Sequence, residues 1–461
     1  MAPPTAYASD RSFAVTDRDA TAAWPDQAWW HGYGDAQLDA LIAEALAGSP
    51  DLAAAIARVR QANAYAQQIG AARMPTLDAT GSAGVTKQSS NNGIPAAFVP
   101  KGWNDTGRID ADLGFDLDLW GRNKASYAAA RSDADAARLD FAQSMLTLST
   151  NVADGYADLA KLFAERAVQV RALDVRAQTV QLTSDRVATG LDTRAELKQA
   201  QAAVPAARAD LAATDEQIAL TRNRLAALLG KGPDRGLSIV APQITLASRG
   251  LPADATTDLI GRRPDIVAAR TRVEAEASRI KVARADFYPS IQLNATIGLQ
   301  ALGLGDLFKS GSSFGSAAPA ISLPIFRGGE LQGKYRSARA SYNEAVANYD
   351  RTVTDAYRAV ADAVASQRAV SVQLAEQRQA LADAQAAYEV ARQRYEGGLS
   401  RFVDVLTAQD RALQSQRSVA DLQARTLALD IALVRALGGG FSSPDATAAA
   451  TAQINKDQTH G

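Results

Sequence analysis

The chain has 461 residues, 47% hydrophobic but only 6% aromatic, with 49 Lys and Arg set against 50 Asp and Glu. That balance lacks the basic excess nucleic-acid binding demands, so no nucleic-acid partner is expected. There is no cysteine, and His31 and His460 are the only histidines. Disulfides, thiol nucleophiles, iron–sulfur clusters and ordinary zinc sites are therefore excluded or nearly so.

Met1-Ala2-Pro3-Pro4 opens into a polar stretch that does not have the form of a secretory leader. This fits either a cytoplasmic protein or an exported one lacking its leader. Residues 1–34 carry Pro3, Pro4 and Pro25 and no helix signal, so an extended tether is expected.

Residues 35–248 and 249–441 read as two copies of one unit. PDLAAAIARVRQANAYAQQIGAARMP, from Pro50 to Pro75, is answered by PDIVAARTRVEAEASRIKVARADFYP, from Pro264 to Pro289. Pro50 and Pro264 suit the first helical position, whereas Pro75 and Pro289 end the helices. Further on, ATGLDTRAEL around Gly190 answers EGGLSRFVDV around Gly398, and ALLG at Gly230 answers RALG at Gly438. Each copy reads as helix, strand pair, very long helix, glycine turn and second long helix. Residues 442–461 read as a disordered tail.

Four segments, 76–86, 108–120, 290–299 and 316–326, alternate as strands between two environments do. In the second, Ile109, Ala111, Leu113, Phe115, Leu117 and Leu119 face one way, and Asp110, Asp112, Gly114, Asp116 and Asp118 the other. In the fourth, Ile321, Leu323 and Ile325 oppose Ala320, Ser322 and Pro324. A soluble sandwich also alternates. Against it, the loops 87–107 and 300–314 are long at one end only, and the strands run into helices too long to fold back over one small sheet. A strand of roughly ten residues crosses a bilayer when tilted. Four strands cannot close a barrel, and lipid does not tolerate an open edge, so other protomers must complete the sheet. Asp110, Asp112, Asp116 and Asp118 line a surface and do not converge on one point, so they read as the lining of a cation-preferring lumen and not as a metal site.

Arg122 to Thr189 has no proline and one glycine, Gly155, and Tyr335 to Glu396 has neither. Long helices are expected over 122–189 and 330–396, each about 90–100 Å at 1.5 Å per residue, with second helices over 192–229 and 399–437. Alanines flank the apolar stripe on both sides, which lets each helix touch two neighbours, as a tube wall requires. Gly190 and the Gly397-Gly398 pair mark the turns at the helix tips. No stretch of eighteen apolar residues is present, so no transmembrane helix is expected. No phosphate-binding loop occurs, and Gly303-Leu304-Gly305 lacks the third glycine of a dinucleotide site. No catalytic residue and no cofactor is expected.

The run YEGGLSRFVDVLTAQDRALQSQRSVADLQARTLALDIALVRALGGGF, ending at Phe441, resembles the closing signature of TolC-like outer-membrane efflux factors, most of all the NodT-type lipoproteins of RND efflux systems. RRPDI at Arg262–Ile266, ARADFYPSI at Ala283–Ile291, FDLDLWGR at Phe115–Arg122 and LPIFRGGE at Leu323–Glu330 are similar to further motifs of that family, and the likeness spans about Trp29 to Phe441.

The resemblance implies a mixed α and β membrane protein with an internal two-fold repeat. A homotrimer, four strands per chain, would form a 12-stranded transmembrane β-barrel surrounded by outer-membrane lipid and continuous with a 12-helix periplasmic α-barrel. It implies a passive exit duct for drugs or other small toxic compounds, fed by a periplasmic membrane-fusion (adaptor) protein and an inner-membrane RND pump. It also implies a lipid anchor on an N-terminal cysteine. No cysteine is present, so the native gene is expected to encode a leader and a cysteine before this segment.

In the resembling family the periplasmic gate follows the second glycine turn, often with an aspartate just before Ala-Gln. Here Thr407 precedes Ala408-Gln409, a departure from the pattern. Val403 and Asp410 share its helical face, Asp404 lies one position around as a substitute carboxylate, and the first repeat offers Glu196 and Gln199. Each gate contact is expected to be worth about 1 kcal/mol. A TolC-like exit channel for type I protein secretion is the second reading. A coiled-coil scaffold is a third, disfavoured by the oily strand faces.

Overall fold

The computed structural model describes residues 23–91, 93–245, 250–252 and 255–442. The first repeat holds α1 (Ala36–Gly48), α2 (Pro50–Ala71), β1 (Thr76–Thr86), β2 (Asn104–Asp116), α3 (Arg122–Ala188), α4 (Arg194–Leu228) and a single turn, α5 (Asp234–Leu237). The second holds α6 (Ala255–Arg262), α7 (Pro264–Ala285), β3 (Ser290–Leu302), β4 (Ser313–Ser322), α8 (Glu330–Glu396) and α9 (Phe402–Ala436). The repeat shows in matched lengths: 22 residues for α2 and α7, 67 for α3 and α8, 35 for α4 and α9. Among the described residues no single helix is long and apolar enough to cross a membrane.

Three strand expectations shift, the third strand running on from 299 to Leu302. The second strand begins at Asn104 and stops at Asp116, short of 120, because Asp118 turns to φ +46° and the Gly121 N–H donates to its carbonyl at 2.9 Å. The fourth occupies Ser313–Ser322, leaving Leu323 and Ile325 beyond it. Pro324 has no N–H to offer a ladder, so pairing ends before it.

The described chain divides into two compact units. One, Arg58–Ala137 with Ala269–Tyr349, holds the sheet, whose order is β1-β2-β3-β4 and whose neighbours are all antiparallel. The register sets Leu77 opposite Leu113, Leu113 opposite Ala295, and Ile291 opposite Ile321, gathering the apolar residues on one face. Leu77, Ile297 and Ile321 remain 71%, 72% and 70% exposed, so that face has no protein cover within the chain.

The other unit, the described residues within Met1–Ala57, Arg138–Ala268 and Asp350–Gly461, carries the main apolar core. Here the tether expected over 1–34 ends early. Trp29–Tyr33 form a 3-10 turn with Trp29 and Tyr33 buried, since two large aromatic groups gain more by burial than in water. Residues 1–22, and the tail beyond residue 442, lie outside the described residues. Gly155 is the only glycine of α3, and α4 packs onto it: a Cβ there would stand 3.0 Å from a Leu225 methyl.

Asp35 is the polar hub of this core. It caps α1 by accepting the N–H groups of Gln37 at 2.9 Å and Leu38 at 3.3 Å. Its second oxygen accepts the Tyr156 hydroxyl at 2.8 Å and the Gln243 N–H at 2.7 Å. Asp35→Ala strips a helix cap and strands a buried hydroxyl, a combined cost of about 2–4 kcal/mol. The midpoint of urea unfolding in detergent should fall accordingly, and an unchanged midpoint would show that the hub carries no stability.

Candidate channel site: barrel lining and helix tips

The polar face of the sheet runs through Asp78, Asp112, Thr296 and Ser316 in one row, and through Thr80, Asp110 and Gly298 in the next. Strand alternation puts these side chains opposite the oily face. The four aspartates expected to form one open row are not equivalent. Asp112 and Asp116 sit on the strand and are half-buried, Asp112 accepting the Thr296 hydroxyl. Asp110 is buried: the Arg108 guanidinium donates to it at 2.6 Å and the Thr80 hydroxyl at 3.2 Å. An arginine two residues along the same strand face reaches its neighbour's carboxylate, which removes Asp110 from the set of free acids.

Asp118 lies off the strand altogether. Its two oxygens accept the N–H groups of Asn123 and Lys124, both at 2.8 Å, so it closes the first turn of α3. Asp78, exposed on β1 and paired with Asp112 in register, belongs to the same polar face. Among the described residues no group of three or more His, Asp or Glu side chains could hold a metal. Gly311 to Gly315 happens to carry the letters of a nucleophile elbow, G-x-S-x-G. Ser313 opens β4 there and does not sit on a strand-to-helix turn, so the context of that motif is missing.

At the tips, both long helices end alike. Gly190 and Gly398 adopt φ +76° and +73°. Leu191 N–H donates to Arg186 C=O at 2.8 Å, and Leu399 N–H to Arg394 C=O at 2.7 Å. These left-handed caps need glycine, whereas Gly397 keeps a conformation open to other residues. Each following helix then opens with a carboxylate cap, reciprocal at Thr193–Glu196, where the Glu196 N–H also donates to the Thr193 hydroxyl at 3.4 Å, and one-way at Arg401–Asp404. Thr193 N–H donates to Glu196 at 2.7 Å, and Arg401 N–H donates to Asp404 at 3.0 Å. Asp404 is thus engaged as a helix cap, like Glu196 at the matching position, and is not a free substitute carboxylate. Val403, Thr407 and Asp410 share an exposed face of α9, and Gln199 is exposed on α4. The Thr407 hydroxyl donates to the Val403 carbonyl at 2.8 Å, and Asp410 lies 3.6 Å from Arg176.

A network absent from the sequence-level site joins the two tips. The Arg186 guanidinium donates to Asp192 at 2.9 Å and 3.4 Å, reaches the Glu396 carbonyl at 3.4 Å, and lies 4.4 Å over the Tyr395 ring. The Tyr395 hydroxyl donates to Asp192. Arg186 and Asp192 side chains are only 11% and 6% exposed, and Tyr395 packs on Phe402 and Val405. Burial, reinforced by the Asp192 carboxylate, pushes the Tyr395 hydroxyl up to about 12, so it stays a donor at physiological pH. The signal available in the sequence was position: Arg186 lies one turn before Gly190, and Tyr395 just before Gly397.

The family model described as outer membrane efflux protein matches residues 41–231 and 256–439. The fusaric acid resistance protein FusA of Burkholderia cepacia is 36% identical over 73% of this chain, a match that spans 64% of FusA, slightly under two thirds. The multidrug resistance outer membrane protein MdtP of Shigella flexneri is 30% identical over 92% of this chain and 88% of its own length. The crystal structure of the outer membrane protein VceC from Vibrio cholerae matches with a TM-score of 0.87 and 44% identity, covering 91% of this chain and 100% of VceC. The architecture is accordingly that of a trimer whose chains each give four strands to one barrel and long helices to a periplasmic barrel. The chain belongs to the outer membrane efflux protein family, and is a TolC-like channel of the outer membrane reaching into the periplasm, not an enzyme.

Proposed function

We propose that this channel is the exit duct of a tripartite RND-type pump, passing drugs or other small toxic compounds from periplasm to exterior. In this reading a periplasmic adaptor and an inner-membrane pump supply substrate and energy, and a lipid on an N-terminal cysteine tethers the native form. Support comes from relatives whose names state resistance to fusaric acid and to multiple drugs. The observation that carries the mechanism is the tip network of Arg186, Asp192 and Tyr395, which ties one helical hairpin to the other.

Parting the hairpins keeps Arg186 on Asp192, its partner in the same hairpin, but breaks the Tyr395 hydroxyl's bond to Asp192 and the contacts of Arg186 with the Tyr395 ring and the Glu396 carbonyl, which costs roughly 2–4 kcal/mol. That exceeds the approximately 1 kcal/mol of an exposed pair such as Arg176–Asp410. The resting channel is then closed, and adaptor binding supplies the difference. Val403, Thr407, Asp410 and Gln199 form the exposed rim of this gate, while Glu196 and Asp404 hold its helices in shape.

Three measurements test this reading. Co-expression with the matching adaptor and pump in a host lacking its own exit duct should restore resistance to a panel of small hydrophobic drugs. A trimer present in the outer membrane without such rescue would overturn the assignment. For the gate, Asp192→Ala with Tyr395→Phe should raise single-channel conductance several-fold, whereas Asp410→Ala should change it little. Wild-type conductance in the double variant, with the trimer intact, places the closure elsewhere. For the lining, Asp112→Asn with Asp116→Asn should lower the preference for cations in bilayer recordings, and unaltered reversal potentials would rule out their control of the current.

A further inference from the structure

Where the strands give way to helices, the sheet unit carries exposed aromatic side chains: Trp120 (51%), Tyr288 (41%), Phe287 (38%) and Phe326 (89%). Aromatic residues at the ends of membrane strands mark the headgroup level. Two of them are fixed. The Trp120 and Tyr288 rings stack at 4.8 Å with planes 22° apart, and the Trp120 indole N–H donates to the Pro289 carbonyl at 2.7 Å.

Beside this stack, the first turns of α3 and the last turns of α7 line a cavity of about 510 Å³. Its small walls are Ala125 and Ala285, and its only charged residues are Lys124, Lys281 and Arg284, all cations. Nearby basic residues are neutralised: Arg122 meets Asp286 at 2.7 Å, and Lys334 meets Glu330 at 2.6 Å. Among the described residues, the side chains of Lys124, Lys281 and Arg284 meet no carboxylate. Three like charges around one cavity repel one another and call for an anion. The aromatic stack beside the cavity says which anion: a phosphate carried at the headgroup level of a lipid.

We propose that this cavity binds the headgroup of an anionic glycerophospholipid from the periplasm-facing leaflet. Lys124, Lys281 and Arg284 hold the phosphate, and the Trp120–Tyr288 stack carries the glycerol backbone. Arg284 offers the fork that matches two phosphate oxygens, and the two lysines add point charge. The proposal rests on the outer-membrane placement of the chain and is independent of the gate.

The test is native mass spectrometry of the detergent-purified trimer titrated with phosphatidylglycerol or with phosphatidylcholine of the same acyl chains. The wild type should retain phosphatidylglycerol preferentially. In K124Q/K281Q/R284Q its affinity should fall about a hundredfold, at the usual contribution of a basic residue near a charged lipid surface. Phosphatidylcholine retention should not change, and Lys281→Arg should keep the preference. Equal retention of both lipids by the wild type, or wild-type retention of phosphatidylglycerol by the triple variant, would overturn the proposal. So would loss of the trimer in the triple variant, read in the same spectra, because the three cations would then be meeting carboxylates of a neighbouring copy.

Discussion

A four-stranded sheet in lipid has two edges whose N–H and C=O groups have nothing to bond, and the rest of the molecule follows from that deficit. β1 and β4 are those edges, and each strand lies fully antiparallel to its neighbour, so only another copy can continue the ladder. The oily face, with Leu77, Ile297 and Ile321 uncovered, is stable in hydrocarbon and a liability in water. Trimer formation and membrane insertion therefore satisfy one requirement together.

The repeat meets the same demand economically. A single design of capped helix, hairpin and 67-residue helix, used twice, gives an even number of strands whose ends return to the same side. Its punctuation is backbone chemistry. Gly190 and Gly398 stop the long helices in the left-handed conformation, and Glu196 and Asp404 restart the chain as helix by capping it. These four positions look like functional candidates in sequence because they are unusual there, yet their first task is to turn the chain.

Elements with a strong period were legible from sequence. The long helices were bounded closely by Arg122, Gly190 and Glu396, and all four strands were located by alternation, the first with its bounds. Periodicity failed at the margins where one side chain decides. Alternation runs unbroken through Leu117 and Leu119, yet Asp118 leaves the ladder to cap α3. Ile325 continues the fourth pattern, but Pro324 has already ended the pairing. In the lining, the identity of Asp110 was readable and its state was not, since burial by Arg108 and Thr80 depends on rotamers and register. The tip network was the least legible. Asp192 and Tyr395 lie about one repeat of chain apart, 203 residues, and nothing local in either segment records the other.

That long-range pairing bears on how the proposed gate stays shut. Weak surface contacts, each open to water and screened by salt, would break by thermal motion and leave a leaking membrane. A buried guanidinium held by a carboxylate, an aromatic face and a carbonyl has a different response. Neighbouring side chains keep much of the solvent off the pair, so its contacts are screened less than those of an open surface pair, and removing one partner leaves the others partly unsatisfied. A ligand shifts such an equilibrium only by the difference in its affinity for the two states. In the proposed gate, an adaptor that opens the tip must therefore bind the parted hairpins more tightly by at least the energy of the contacts between them. The energy of the contacts between the hairpins of the proposed gate sets the minimum selectivity demanded of the partner.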